Sequence, residues 1–541
     1  IQDIAQKLGV GLVLEGSVRK DGNQVRITAQ LIDATSGFHL WSENYDRALD
    51  NIFAVQDEIS AAIVGELKTT MGLTATVRVQ NTIPTDPAAY DAYLLGIYEM
   101  EKRGPGPLGI AKEQFEKAIA IDPNYAPAIA RLSMVFGLLP FYDFGFSFSE
   151  TLVRAGALAD QALSLAPDLP EAQAAKGYYL WVNQRPIEAE PYLVRAIELN
   201  PNYSTAKFWL SALYLQLGEF EKNLAILEEV VRDDPLSTIA VANLAGFYIQ
   251  MGQSGKADLL SERLNSLNPL FNRSLKAQNF AIQGKLAVAA ILFLETLEIS
   301  PGYSGASSGL SSLLGDAFGL NDEAVLVGQF PFSPLMALGR VEEATQKAEV
   351  MNAGLGANDL GGKGQIASVY LVAGNLEKAS EVIEGAWARV PDRPFKIGSL
   401  SAPSRFVFYE IRKQKGNPEG AREIMNLLKN ALSAYLDSRF NSYGLVWDQG
   451  LVLLYAGRTG EGLEKMKEAV EAGYAPNFQE LYLMSRFPDV DFSPVMAALE
   501  EKRATERDKF LKIVCNGGNP APEAWTPMPK TCEGYVESSG E

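Results

Sequence analysis

One histidine and two cysteines in 541 residues leave little room for metal or acid–base chemistry. His39 has no second imidazole to work with, and two thiols and one imidazole are too few for a closed zinc site of four ligands. Basic charge is also short: 48 Lys and Arg face 66 Asp and Glu, for a net charge of −18. Such a surface repels phosphate backbones and anionic lipid, so direct nucleic-acid binding by this segment is not expected. No long uncharged apolar run is present, so no stretch reads as a membrane-spanning helix. No segment of this sequence reads as a signal peptide. The chain opens on Ile1 rather than Met, already in a helical apolar rhythm (Ile1, Ile4, Leu8), and the expectation is a fragment with an N-terminal part missing.

Patterns that superficially promise chemistry fail on spacing. Residues Gly354 to Gly364 resemble a phosphate loop, but five residues separate Gly356 from Gly362 and Gly364 stands where a Ser or Thr is needed after Lys363. They read as a flexible inter-repeat linker. Gly302-Tyr303-Ser304-Gly305 lacks the spacing of a nucleophile elbow, and no calcium-loop glycine follows Asp489-Val490-Asp491. The paired carboxylates Glu228 and Glu229, Glu342 and Glu343, and Glu500 and Glu501 fall on expected solvated helix faces. No catalytic residue, metal or cofactor is expected.

What the chain does have is 47% apolar residues and a ladder of prolines. Pro167, Pro201, Pro235 and Pro269 recur every 34 residues, Pro301 follows after 32, and Pro123 lies 44 before Pro167. A fixed period in this range marks stacked supersecondary units, which work by presenting a surface. In the unit ending at Pro201, Gly177 and Leu180 precede Ala189, Leu193 and Ala196. The next has Leu210, Ser211, Tyr214 and Gly218, then Leu227 and Val230; the next Leu244, Ala245, Tyr248 and Gly252, then Ala257 and Leu264. Small residues let two helices approach, large ones fill the gap, glycine ends the first helix and proline the second.

This pattern resembles the tetratricopeptide repeat. It recurs at Ala111, Phe115, Ala118 and Pro123, at Ala367, Tyr370, Gly374, Ala379, Ile383, Ala386 and Pro391, and more loosely at Gly450, Leu453, Gly457, Met466 and Ala469. The resemblance implies a mainly α fold: a right-handed α-solenoid of nine or ten helix pairs over 86–475, degenerate near 302–360, then a helix and a cysteine-containing tail over 476–541. It also implies protein or peptide binding along first helices. Their non-motif positions Tyr178, Trp181, Phe208, Leu215, Asn243 and Ile249 are the expected groove, suited to an extended or helical apolar segment.

The first eighty residues follow another rhythm. Val13 to Arg19 is extended, Asp21-Gly22-Asn23 turns, and Val25, Ile27, Ala29 and Leu31 alternate with polar neighbours in a second strand. Thr35-Ser36-Gly37 turns again, Phe38 to Tyr45 gives a third strand with Trp41, and Asp50 can cap a helix over Ile52 to Thr70. The wording LEGSVR at 14–19, VRITAQLID at 25–33, LWSENYDR at 40–47 and IFAVQDEI at 52–59 is similar to the α/β domain related to the N-terminal domain of TolB and to the flagellar outer-membrane protein FlgO. The resemblance covers residues 1–80 as a domain truncated at its start. It implies a bacterial protein in which a membrane span and an effector precede this domain.

Cys515 and Cys532 are isolated in the last 30 residues, flanking a segment with Trp525, and the expectation is a disulfide in an oxidising compartment. Together these readings lead to the periplasmic interaction or sensor region of a membrane-anchored signalling protein, cyclase-linked before winged-helix-linked. A free-standing envelope assembly factor is the alternative. An enzyme in the solenoid concavity would need inward-facing clustered carboxylates, and the sequence places none.

Overall fold

The computed structural model describes residues 5, 10–21, 24–48, 59–65, 86–142, 148–300, 303–328, 331–355, 359–389, 402–437, 443–515 and 532. Backbone contacts divide the chain into two compact units: Ile1–Lys102 with Ile110–Ile129, and Arg103–Gly109 with Ala130–Glu541.

Alternation builds the sheet of the first unit. Val25, Ala29 and Leu31 are buried on one face of β2 (Gln24–Asp33). β2 pairs antiparallel with β1 (Leu12–Asp21) and β3 (His39–Ala48), in the order β1-β2-β3. The register sets Leu14 opposite Leu31 and Ile27 opposite Tyr45. The flanking strands run longer than the apolar alternation indicates, because cross-strand polar pairs extend the ladder on the outer face. Arg26 forks onto Asp46 at 2.6 and 2.9 Å, and the Thr28 hydroxyl donates to Asn44. Asp33 accepts the N–H groups of Thr35 and Ser36, and Gly37 takes the positive φ of 75° that this turn requires. Helix α1, residues 59–65, lays Ile59, Ala62 and Ile63 on Ala29, Trp41 and Tyr45. Gly22-Asn23, the rest of the helix expected over 52–70, and all of the N-terminal helix but Ala5 lie outside the described residues.

The first helical hairpin is α2 (Pro87–Lys102) with α3 (Pro105–Ile121). Ala111, Phe115 and Ala118 are fully buried, and a Cβ at Gly96 would come within 2.6 Å of the Phe115 ring. Only glycine allows that approach.

In the second unit helix follows helix: α4 (Ala126–Tyr142) and α5 (Phe148–Leu165), α6 (Pro170–Val182) and α7 (Pro186–Leu199), α8 (Ser204–Leu217) and α9 (Phe220–Asp233), α10 (Thr238–Gln250) and α11 (Ser254–Leu267), α12 (Pro269–Ile282) and α13 (Leu286–Ile299). Glycines turn the chain, with φ of 79° and 69° at the expected Gly218 and Gly252 and of 73° at Gly284. Between α6 and α7 that left-handed position falls on Gln184, at φ 62°. Pro201 and Pro235 lie just past helix ends, whereas Pro269 opens α12, with Asn268 capping the Phe271 N–H. Proline serves in both places because its fixed φ suits a first helical position while its missing N–H stops a preceding helix.

Next, α14 (Ser304–Ser312) widens into a π turn over Leu313–Ala317, followed by the short helices α15 (Asn321–Val327) and α16 (Phe332–Ala337). Regular helices resume with α17 (Val341–Gly354), α18 (Leu360–Val372), α19 (Leu376–Arg389), α20 (Ala402–Gln414), α21 (Pro418–Asp437), α22 (Tyr443–Tyr455) and α23 (Thr459–Glu471). The linker expected over 354–364 is corrected here. Gly361, Gly362 and Gly364 belong to α18, where the Asp359 carboxylate caps the Gly362 N–H at 2.9 Å. Burial of Ile366, Val369 and Tyr370 outweighs the helix cost of the glycines.

After α24 (Phe478–Met484), the last helix α25 (Ser493–Cys515) returns across earlier elements. Arg503 Nε donates to the Asp316 carbonyl at 2.9 Å, and Phe510 stacks on Phe318 with centroids 5.0 Å apart. Cys515 is joined to Cys532, their Cα atoms 5.5 Å apart, and both pack on the cluster around Phe293 and Leu294.

Candidate protein-interaction groove

Three first helices, α8, α10 and α12, enclose a cavity of about 210 Å³. From α8 come Phe208, Ala212 and Leu215, spaced to share one face; from α10, Ala242, Gly246 and Gln250; from α12, Phe271, Ser274 and Gln278. The groove stays open because its middle rung is small. A Cβ at Gly246 would touch only Leu275, at an ordinary 3.8 Å. Among the described residues no Asp, Glu, Lys or Arg lines the cavity, although the chain as a whole is strongly acidic.

Beneath the rungs lies a polar floor. Ser211 and Asn223 are each about 1% exposed. Asn223 Nδ2 donates to the Ser211 carbonyl at 2.8 Å, and Ser211 Oγ donates to the Phe208 carbonyl at 2.7 Å. Asn223 Oδ1 is buried without a hydrogen-bond partner among the described residues.

Of the six expected groove residues, Phe208, Leu215 and Asn243 converge on this cavity. Asn243 is exposed there, its Nδ2 donating to the Ile239 carbonyl one turn earlier. Tyr178 and Ile249 do not line it. Both are buried: Tyr178 packs flat on Trp209, and Ile249 belongs to the core with Phe220 and Leu244. An aromatic ring at position 178 is large enough to fill the gap between hairpins that Ala212 and Gly246 leave open. Trp181 is half-buried, and its Nε1 donates to Gln216 Oε1 at 2.6 Å. Gln250, Gln278, Phe271 and Asn223 escaped the sequence reading. One signal for Asn223 was available. Positions twelve residues apart in the hairpins hold two small residues at Gly177 and Ala189, Ala245 and Ala257, Ala277 and Ala289, Ala367 and Ala379, and Gly450 and Gly462. Ser211 and Asn223 form the polar exception in that series.

A second cavity, of about 300 Å³, lies between the π turn, α16, α24 and α25 and is walled mostly by apolar atoms, with Asp316 at its edge. Asp316 accepts from Ser312 and Ser333, yet burial raises its carboxyl to about 6. Burial also lifts Asp448 to about 7 and Glu480 to about 8. Glu480 accepts from the Tyr474 hydroxyl and from the Asn477 N–H, which completes a capping box on α24. His39 is exposed on β3.

Helical hairpins whose first helices share a groove define a tetratricopeptide-type solenoid. Residues 180–244 match the family model of the tetratricopeptide repeat. The chain is 35% identical over 191 residues to "Putative adenylate cyclase 3" of Rhizobium meliloti (strain 1021), a match covering 35% of this chain and 32% of that protein. It is 28% identical over 138 residues to the mouse protein O-mannosyl-transferase TMTC3, covering 25% of this chain and 15% of that protein. The chain thus spans a third or less of the length of either relative. Among solved structures, the type IV pilus biogenesis factor PilW is 21% identical, with a TM-score of 0.32, over 42% of this chain and all of PilW. At that score the likeness adds nothing to the hairpin geometry itself.

Proposed function

We propose that this chain is the protein-binding region of a bacterial, membrane-anchored signalling protein linked to a nucleotide cyclase. The observation that carries the binding role is the uncharged groove across α8, α10 and α12, about half of which falls within the tetratricopeptide match. A packed scaffold with a neutral, part-apolar groove suits a polypeptide segment better than a phosphate or a cation. Similarity to the Rhizobium protein supports the cyclase link, and the Cys515–Cys532 bond supports a periplasmic setting.

Blocking the groove tests the binding role. Gly246→Trp places an indole where the lining is thinnest, and Phe208→Glu charges the same wall. Each variant is to fold with unchanged helical circular dichroism and to lose the partners that the wild-type chain crosslinks in its host envelope. Partners kept by both folded variants would overturn the groove. The cyclase link is tested by reading the gene upstream of Ile1. A cyclase domain followed by a membrane span supports it, and a winged-helix domain or an immediate start codon overturns it.

A further inference from the structure

Asn223 is held in one orientation. Its Nδ2 donates to the Ser211 carbonyl, and a flipped amide would set oxygen against oxygen. Oδ1 is therefore an acceptor only. It is buried beneath the groove, unpaired among the described residues, at an offset where five other hairpins hold two small residues. An orphaned buried acceptor costs free energy that an alanine would avoid.

We infer that Asn223 Oδ1 is the acceptor for a backbone N–H of an extended peptide lying across α8, α10 and α12. This inference rests on the groove reading above. The acceptor requires a ligand with a free donor. A helical ligand has its mid-segment N–H groups already bonded, and a carboxylate or phosphate presents only acceptors. A lysine or arginine would enter an uncharged cavity without a counter-charge. An extended backbone alternates N–H and C=O, and the lining amides Asn243, Gln250 and Gln278 can each donate and accept along it. Phe208 and Phe271 then hold alternate apolar side chains.

The test uses the whole purified chain and an array of random 12-residue peptides with amidated C-termini. The strongest binders are re-measured in solution, then remade with one backbone N–H methylated at a time. One methylation is to weaken wild-type binding about tenfold. That sensitivity is to vanish in Asn223→Ala, which restores the pattern of the other hairpins, and in Asn223→Gly, should the alanine variant fail to fold. No methylation whose effect depends on Asn223 overturns the inference, as does binding strengthened by helix-stapling the peptide. Loss of binding in Gly246→Trp keeps the groove standing in either case. An array without binders, or binding indifferent to Gly246→Trp, overturns the groove and the inference together.

Discussion

Tyr178 lies flat on Trp209, ring centroids 4.1 Å apart, and that stack closes the space between the α6 and α8 hairpins which Ala212 and Gly246 leave open one hairpin later. The Tyr178 hydroxyl also approaches the Gly137 carbonyl at 3.4 Å, so one side chain ties three hairpins together. Tyr178→Ala should cost about 3–5 kcal/mol in urea unfolding, the range for large aromatic truncations in cores. Groove binding should persist in the folded fraction. A change below about 1 kcal/mol would place the ring on the surface instead.

The turn between α6 and α7 carries avoidable strain. Gln184 holds φ of 62° where the equivalent turns use glycine, and its Oε1 is buried unpaired among the described residues. Gln184→Gly should raise the unfolding free energy by about 0.5–1 kcal/mol, because glycine enters the left-handed region freely. A lower denaturation midpoint would contradict this.

Buried carboxyls set the pH response. Unfolded, Asp316, Asp448 and Glu480 release their protons near pH 4. Folded, they hold them to about 6, 7 and 8 respectively, because burial penalises the charge. Between about pH 4 and 8 the folded chain binds more protons than the unfolded one, so stability falls as pH rises through that window. Urea midpoints should be higher at pH 5.5 than at pH 8.5. Asp448→Asn should flatten the slope, separating this effect from general repulsion in an acidic chain.

The tail bond closes a 17-residue separation. Reduction, or Cys532→Ser, should destabilise the α25 end by about 3 kcal/mol if the chain-entropy model holds. Peptide mapping of protein from the native host, without reductant, should recover the linked pair. Free thiols there would remove the bond and its support for a periplasmic site.

Legibility followed repetition. Gly218 and Gly252 declared the hairpin turns because the same backbone demand recurs at the same offset. Three of the six expected positions, Phe208, Leu215 and Asn243, line the cavity. Phe208 and Leu215 face the cavity and Tyr178 does not, since what empties a cleft is the size of its neighbours, which a position-by-position reading does not weigh. Glycines 361, 362 and 364 read as a linker because composition suggested looseness, while the Asp359 cap and the buried apolar face made a helix. The return of α25 onto the π turn left no periodic trace at all.

That return has a consequence for biosynthesis. In an ordinary repeat array each hairpin completes itself against the one before, and folding can keep pace with translation. Here the Asp316 carbonyl meets Arg503 from 187 residues downstream, and the Ala287 N–H meets Glu506 from 219 downstream. At 5–20 residues per second, the apolar surface around Leu294 and Phe318 waits roughly 10–40 s for Phe510 to be synthesised. During that interval the nascent chain presents a sticky, half-finished face, the period in which a chaperone has most to protect.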